Sequence, residues 1–186
     1  MISASRADIA GRTATLLGTM RAARPLVHNI ANYVSMDVAA NALLAIGASP
    51  AMVHAREEVV EFIGLSAALV VNIGTLSMPW IEAMIIAAEA ARGHGKPWVL
   101  DPVGAGATTL RNETVKMLLP HWPSIIRGNA SEIMAVAGGA GVAPKGVDSA
   151  NTTQERWPSR SASPSMRTAS SSPPARWTSS RTAAAW

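Results

Sequence analysis

From residue 25 onward, short apolar runs alternate with longer stretches in which apolar side chains recur every three or four positions. Alternation of this kind predicts βα units wound around a parallel sheet. Strands are expected over residues 26–30, 50–54, 68–73, 97–100 and 124–126, and each run gives way to polar or glycine residues. Helices are expected between them. Residues 35–46 set Met36, Ala39, Ala40, Leu43 and Leu44 on one side and close at Gly47; residues 78–92 are alanine-rich and close at Gly93; residues 110–119 stop at Pro120. Glu57, Glu58 and Glu61 read as one solvated helix face. In doubly wound sheets ligands bind outside the carboxyl ends of the strands, so the polar strand exits are where chemistry is expected.

At about residue 150 the pattern ends. Residues 151–186 contain nine Ser, six Ala, five Thr, five Arg, four Pro and three Trp, but no Leu, Ile, Val or Phe. That alphabet offers no face for a helix or strand to bury, and the expectation is a disordered tail outside the folded part. The whole chain of 186 residues, 48% hydrophobic and 15% charged, is long enough for one packed domain. A net charge of +4 points first to nucleic acid, but its distribution argues otherwise. Residues 1–150 hold 11 basic and 11 acidic side chains, so the excess lies in the tail, where five Arg and three Trp have no regular spacing. Nucleic acid is therefore not expected as a partner. The absence of cysteine excludes disulfides, thiolate metal sites and a cysteine nucleophile in this chain. No run has signal-peptide character or reaches about 18 apolar residues, which predicts a soluble cytoplasmic protein without a membrane partner.

Three strand exits carry candidate chemistry. Asp101-Pro102-Val103-Gly104-Ala105-Gly106-Ala107-Thr108 follows an apolar run. A carboxylate there can hold Mg²⁺, and the Gly-x-Gly turn lets backbone N–H groups approach phosphate; the plain alternative is a tight turn. It is not a dinucleotide fingerprint, because the third glycine is missing. In Ile126-Arg127-Gly128-Asn129-Ala130-Ser131-Glu132, Arg127 suits a polyphosphate. Glu132 either reaches the same metal as Asp101 or caps its helix. Asn72 and Thr75 flank Ile73-Gly74 at a third exit, and Met52 offers a soft surface for a ring or simply fills core. His28, His54, His94 and His121 show no metal spacing; the first two are candidate pocket residues and the others surface ones.

Residues 27–34 (Val-His-Asn-Ile-Ala-Asn-Tyr-Val) and 41–52 (Asn-Ala-Leu-Leu-Ala-Ile-Gly-Ala-Ser-Pro-Ala-Met) resemble the hydroxyethylthiazole kinases of thiamine biosynthesis and salvage. The resemblance continues collinearly through residues 69–76, 82–87, 101–108 and 126–132 and ends near residue 149. It implies an α/β, ribokinase-like fold: a mostly parallel sheet flanked by helices, incomplete at the C-terminus, with residues 1–150 as the N-terminal part of the kinase domain. The implied reaction transfers the γ-phosphoryl group of ATP, with Mg²⁺, to the alcohol of hydroxyethylthiazole. By matching position Met52, Asn32 and Gly74 would contact the thiazole, Arg127 the ATP phosphates, and Asp101 and Glu132 the metal. The family is similar in forming homotrimers with active sites between subunits.

The chain departs from the family after residue 149, where a Thr-Gly-Glu-Val-Asp segment and a Gly-Thr-Gly-Cys segment are absent. No catalytic residue can be carried over, and little or no activity is expected, since a lost anion hole removes stabilisation of the transferring group. Residues 175–183 can be encoded so that the frame beginning at the third base spells Glu-Val-Asp-Phe-Val-Thr-Asp-Gly, which implies a frameshift near residue 150. The competing expectations are an inactive binding protein with a basic tail and a related kinase acting on a pyrimidine or pyridoxal alcohol.

Overall fold

A computed structural model describes residues 6–138 and a four-residue strand, Arg176–Ser179. Its centre is a parallel sheet of β1 (Leu26–Ile30), β2 (Ser49–Ala51), β3 (Ala68–Asn72), β4 (Trp98–Asp101), β5 (Ile125–Gly128) and β6 (Arg176–Ser179), in the spatial order β2-β1-β3-β4-β5-β6. The expected strands thus all form, β1 over the residues expected and the other four with shifted ends. β2 is shorter than expected because only Ser49, Pro50 and Ala51 pair with Leu26, Val27 and His28, and the edge position leaves room for a proline that cannot donate. The chain order reverses between β1 and β3, which places a switch point beside the ends of those two strands.

The helices are α1 (Arg6–Ala23), α2 (Met36–Ile46), α3 (Val59–Leu65), α4 (Met78–Gly93), α5 (Thr109–Leu118) and α6 (Ala130–Val136). α4 buries Trp80, Ile81, Ala83, Met84, Ala87, Ala88 and Ala91, a stripe of mostly small side chains that lets its axis approach the sheet closely. Leu69, Val71, Leu100 and Ile126 meet it from the strands, and Ile63, Val115 and Leu118 from α3 and α5, to make the core. Along β3 and β4 burial alternates residue by residue, so Val70 and Val99 lie half-exposed on the opposite face.

Several expectations need correction. α2 ends at Gly47 as read, with φ at +97°, where a glycine is favoured, but it buries no residue completely, and Leu44 is 58% exposed. α4 runs through Gly93, and the left-handed residue is Gly95 instead. Pro120 does not end helical geometry: it sits in a 3-10 turn, Leu119–His121, whose first turn needs no proline N–H. Only Glu61 of the three glutamates lies inside α3; Glu57 and Glu58 precede it, all three being exposed. The tail was expected to contain no strand, yet Arg176–Ser179 pairs in parallel with Ile125–Gly128. The physical reason is that an edge strand offers main-chain N–H and C=O groups to any extended partner, whatever its side chains. The remainder of the tail reading lies outside the described residues. Among the described residues no helix is long and apolar enough to cross a membrane.

Candidate functional site

At the carboxyl ends of β1, β3 and β4 one chain of hydrogen bonds links three side chains. Asn32, just past β1, donates from Nδ2 to Asn72 Oδ1 at 2.9 Å, and Asn72 Nδ2 donates to Asp101 Oδ2 at 2.8 Å. Each member is held from elsewhere. Asn32 Oδ1 accepts from the Ser35 N–H at 2.9 Å where the chain enters α2, and Asn72 Oδ1 also accepts from the Gly74 N–H at 2.8 Å. Gly74 must be a glycine here, since a Cβ would lie 2.6 Å from Asn32 Nδ2 and 2.9 Å from Asn72 Oδ1.

Asp101 closes the chain at the end of β4. Its Oδ2 also accepts from Arg127 Nη1 at 3.3 Å, while its Oδ1 is buried with no hydrogen-bond partner among the described residues. Burial pushes the Asp101 carboxyl above the ordinary range; Glu132 pushes the same way, and Arg127 and Asn72 oppose the shift. A carboxylate oxygen left unpaired beside a cation and a second carboxylate is a place for a hard cation or a donated proton.

Glu132 is 6% exposed and fully engaged by main chain. Its Oε2 accepts from the Asn129 N–H at 2.8 Å, while Asn129 Oδ1 accepts from the Glu132 N–H at 2.9 Å, forming a capping box at the start of α6. Its Oε1 accepts from the Gly104 N–H at 2.9 Å, which ties α6 to the glycine loop. The cap reading is thus observed, and the same carboxylate also holds the glycine loop. Gly104 and Gly106 have φ of +71° and +89°, the geometry for which the loop carries glycine. Gly106 N–H donates to Asn112 Oδ1 at 2.7 Å.

Asn32, Gly74, Asp101, Arg127 and Glu132 thus fall into one neighbourhood, the first four through hydrogen bonds to one another or to Asn72. Met52 stands apart from that chain: it is half-buried just after β2, and its neighbour Val53 accepts from His28 Nε2 at 2.8 Å. His28 is fully buried against Phe62, and burial lowers its pKa. Since Val53 offers a carbonyl, the proton of neutral His28 sits on Nε2, and Nδ1 is a buried lone pair without a partner among the described residues. His54 lies with its ring 4.5 Å from that of Trp80, which also meets Tyr33 at 4.7 Å. His94 is exposed, whereas His121 is half-buried and its carbonyl accepts from Trp98 Nε1 at 3.0 Å. No group of three or more His, Cys, Asp or Glu that could hold a metal forms among the described residues.

Arg111 was not anticipated. It lies in the first turn of α5, where a cation opposes the helix dipole, and that misplaced charge was the available signal. Its guanidinium donates to the carbonyls of Ile73 and Val103 at 2.6 Å each and of Gly74 at 2.9 Å.

Residues 17–165 match the family model described as the hydroxyethylthiazole kinase family, a span that runs past residue 149, near which the resemblance was expected to end. A protein of Rhizobium etli named hydroxyethylthiazole kinase is 59% identical over 140 residues, covering 75% of this chain and 54% of that protein. One of the same name from Nitratidesulfovibrio vulgaris is 59% identical over 131 residues, covering 70% of this chain and 49% of that protein. A solved structure of hydroxyethylthiazole kinase protein from Pyrococcus horikoshii superposes with a TM-score of 0.65 at 51% identity, over 67% of this chain and 49% of that one. The chain spans about half the length of the relatives it matches.

Proposed function

Because the chain belongs to the hydroxyethylthiazole kinase family, we propose that its strand-end site binds ATP with Mg²⁺ and the thiazole alcohol. It is the site of a kinase that moves the γ-phosphoryl group of ATP to that alcohol in thiamine biosynthesis. What carries the reading is Asp101 Oδ1, a buried carboxylate oxygen with no partner among the described residues, beside the Arg127 guanidinium. The donor set fits Mg²⁺, which typically takes one or two carboxylates and fills its remaining positions with phosphate oxygens and water. Asp101 would hold it through Oδ1, with Glu132 as the second carboxylate. Bound there, Mg²⁺ would neutralise charge on the transferring phosphoryl group.

The chain's own groups do the rest by positioning. Arg127, with its side chain 54% exposed, can turn a planar donor pair towards phosphate oxygens while remaining near Asp101. Asn72 fixes the Asp101 carboxylate through Oδ2, the oxygen that Arg127 also meets, so Oδ1 keeps one direction. Asn32 and the Gly74 main chain border the thiazole, with Met52 as an apolar surface for its ring. No described residue is assigned as catalytic base. Homotrimer formation and a cytoplasmic location belong to the same proposal.

The expected result is binding of both ligands at this site. Calorimetry with Mg–ATP and with hydroxyethylthiazole should detect each ligand, and Arg127→Ala should weaken Mg–ATP roughly 10- to 100-fold. A chain that binds neither ligand sinks the reading. Preference for a pyrimidine or pyridoxal alcohol over the thiazole sinks the substrate assignment.

A further inference from the structure

Two loops meet at the site, and one side chain joins them. The β3 exit, residues 72–75, borders the acceptor side; the β4 exit, residues 101–108, borders the donor side. Their direct contacts are the Asn72–Asp101 hydrogen bond at 2.8 Å and the Ile73 N–H donating to the Asp101 carbonyl at 3.2 Å. Arg111 adds a further link between the two loops. Its Nη1 reaches Ile73 O on one loop and Val103 O on the other, both at 2.6 Å, while Nη2 reaches Gly74 O at 2.9 Å.

The Arg111 stem packs on Gly104 so closely that a Cβ there would lie 3.2 Å from Arg111 Cδ. Its base is fixed as well: the Arg111 N–H donates to Thr108 Oγ1 at 3.3 Å, the cap of α5. Arg111 forms no ion pair among the described residues, so its half-buried charge is compensated by three carbonyl dipoles from two loops. A guanidinium used this way spends three donors on geometry, and an ammonium has no planar fork to reproduce it.

We propose that Arg111 is a positioning residue that locks the acceptor-side and donor-side loops into one rigid unit, so that a ligand at Gly74 and a phosphate at Gly104 favour each other's binding. The ligand half of this rests on the proposed function; the clamp itself does not. Filling either loop fixes the carbonyls that hold Arg111, and the fixed guanidinium then holds the other loop. Binding at one side lowers the ordering cost at the other.

Two arms on the full chain test it. In the first, amide hydrogen exchange is followed without ligands in the wild type, Arg111→Lys and Arg111→Met. In both variants the amides of Gly74, Gly104 and Gly106 exchange about tenfold faster or more, while those of Val71 and Leu100 inside the strands keep their rates. Unchanged loops, acceleration of one loop alone, uniform acceleration across the sheet, or full rescue by lysine each overturns the clamp. In the second arm, calorimetry measures Mg–ATP affinity with and without hydroxyethylthiazole. The wild type shows each ligand tightening the other by roughly fivefold or more, and the variants bring that factor to about one. An equal factor in wild type and variants overturns the coupling. A wild type that binds neither ligand overturns the proposed function, and the exchange arm then decides the clamp alone.

Discussion

At His28 a titratable ring is held in the one protonation state its surroundings allow. It is fully buried, its Nε2 proton is committed to Val53 O, and its Nδ1 has no hydrogen-bond partner among the described residues. Charging it strands a cation in the core, which is why its pKa falls below the ordinary 6.5. The unfolded chain still takes up a proton near 6.5, so unfolding binds more protons than folding below that pH, and stability drops as pH falls through this range. Denaturant melts between pH 7 and pH 5 should show that loss in the wild type and a flatter profile in His28→Gln, which keeps a donor for Val53. An unchanged slope in the variant locates the loss elsewhere. Nothing in the sequence distinguished this role: His28 read as a pocket candidate equal to His54, and burial separated them.

At the scale of elements, the central strands carry the stability. Leu100 is fully exposed to the core and to no solvent, packed within the cluster formed by α4, α5 and the neighbouring strands. Leu100→Ala should cost about 2–5 kcal/mol, read as a shift in denaturant midpoint at constant slope. The strands were legible because short, mostly apolar runs of three to six residues giving way to polar groups have few other uses. Their ends were less so. β4 extends to Asp101 because its pairing with β3 matches Asn72 to Asp101, a register that no local pattern states. α1 was not anticipated, and most of its side chains are exposed, so no stripe of apolar positions marked it. The strand at Arg176–Ser179 was hidden for the opposite reason, since its pairing depends on the edge that β5 offers.

On the scale of the whole molecule, several of the exposed apolar side chains lie at one short helix. Val34 is 90% exposed, Val38 68% and Leu44 58%, all at or on α2. Single exposed apolar residues are ordinary, but several on and beside one short helix mark an interaction surface. Under the proposed homotrimer, sedimentation equilibrium should give a mass three times that of the 19.3 kDa chain. The double substitution Val38→Asp with Leu44→Asp should then shift it to the monomer, because charges on such a surface are costly to desolvate. A monomeric wild type, or a variant that stays trimeric, overturns the assignment of this face.

The sequence by itself determined the βα alternation and the kinase family, and it marked the strand exits as candidates for chemistry, because periodicity and dense local motifs are written residue by residue. It also named Asn32, Gly74, Asp101, Arg127 and Glu132. Only the tertiary structure decided how they cooperate: that Asn72 bridges Asn32 to Asp101, that Glu132 caps its helix and holds Gly104 with the same carboxylate, and that Arg111 spans two loops. Apart from the cap itself and the Val103 contact, those relations join residues 28 to 40 positions apart, and their existence depends on strand order and register, which arise from packing the whole sheet rather than from any one segment.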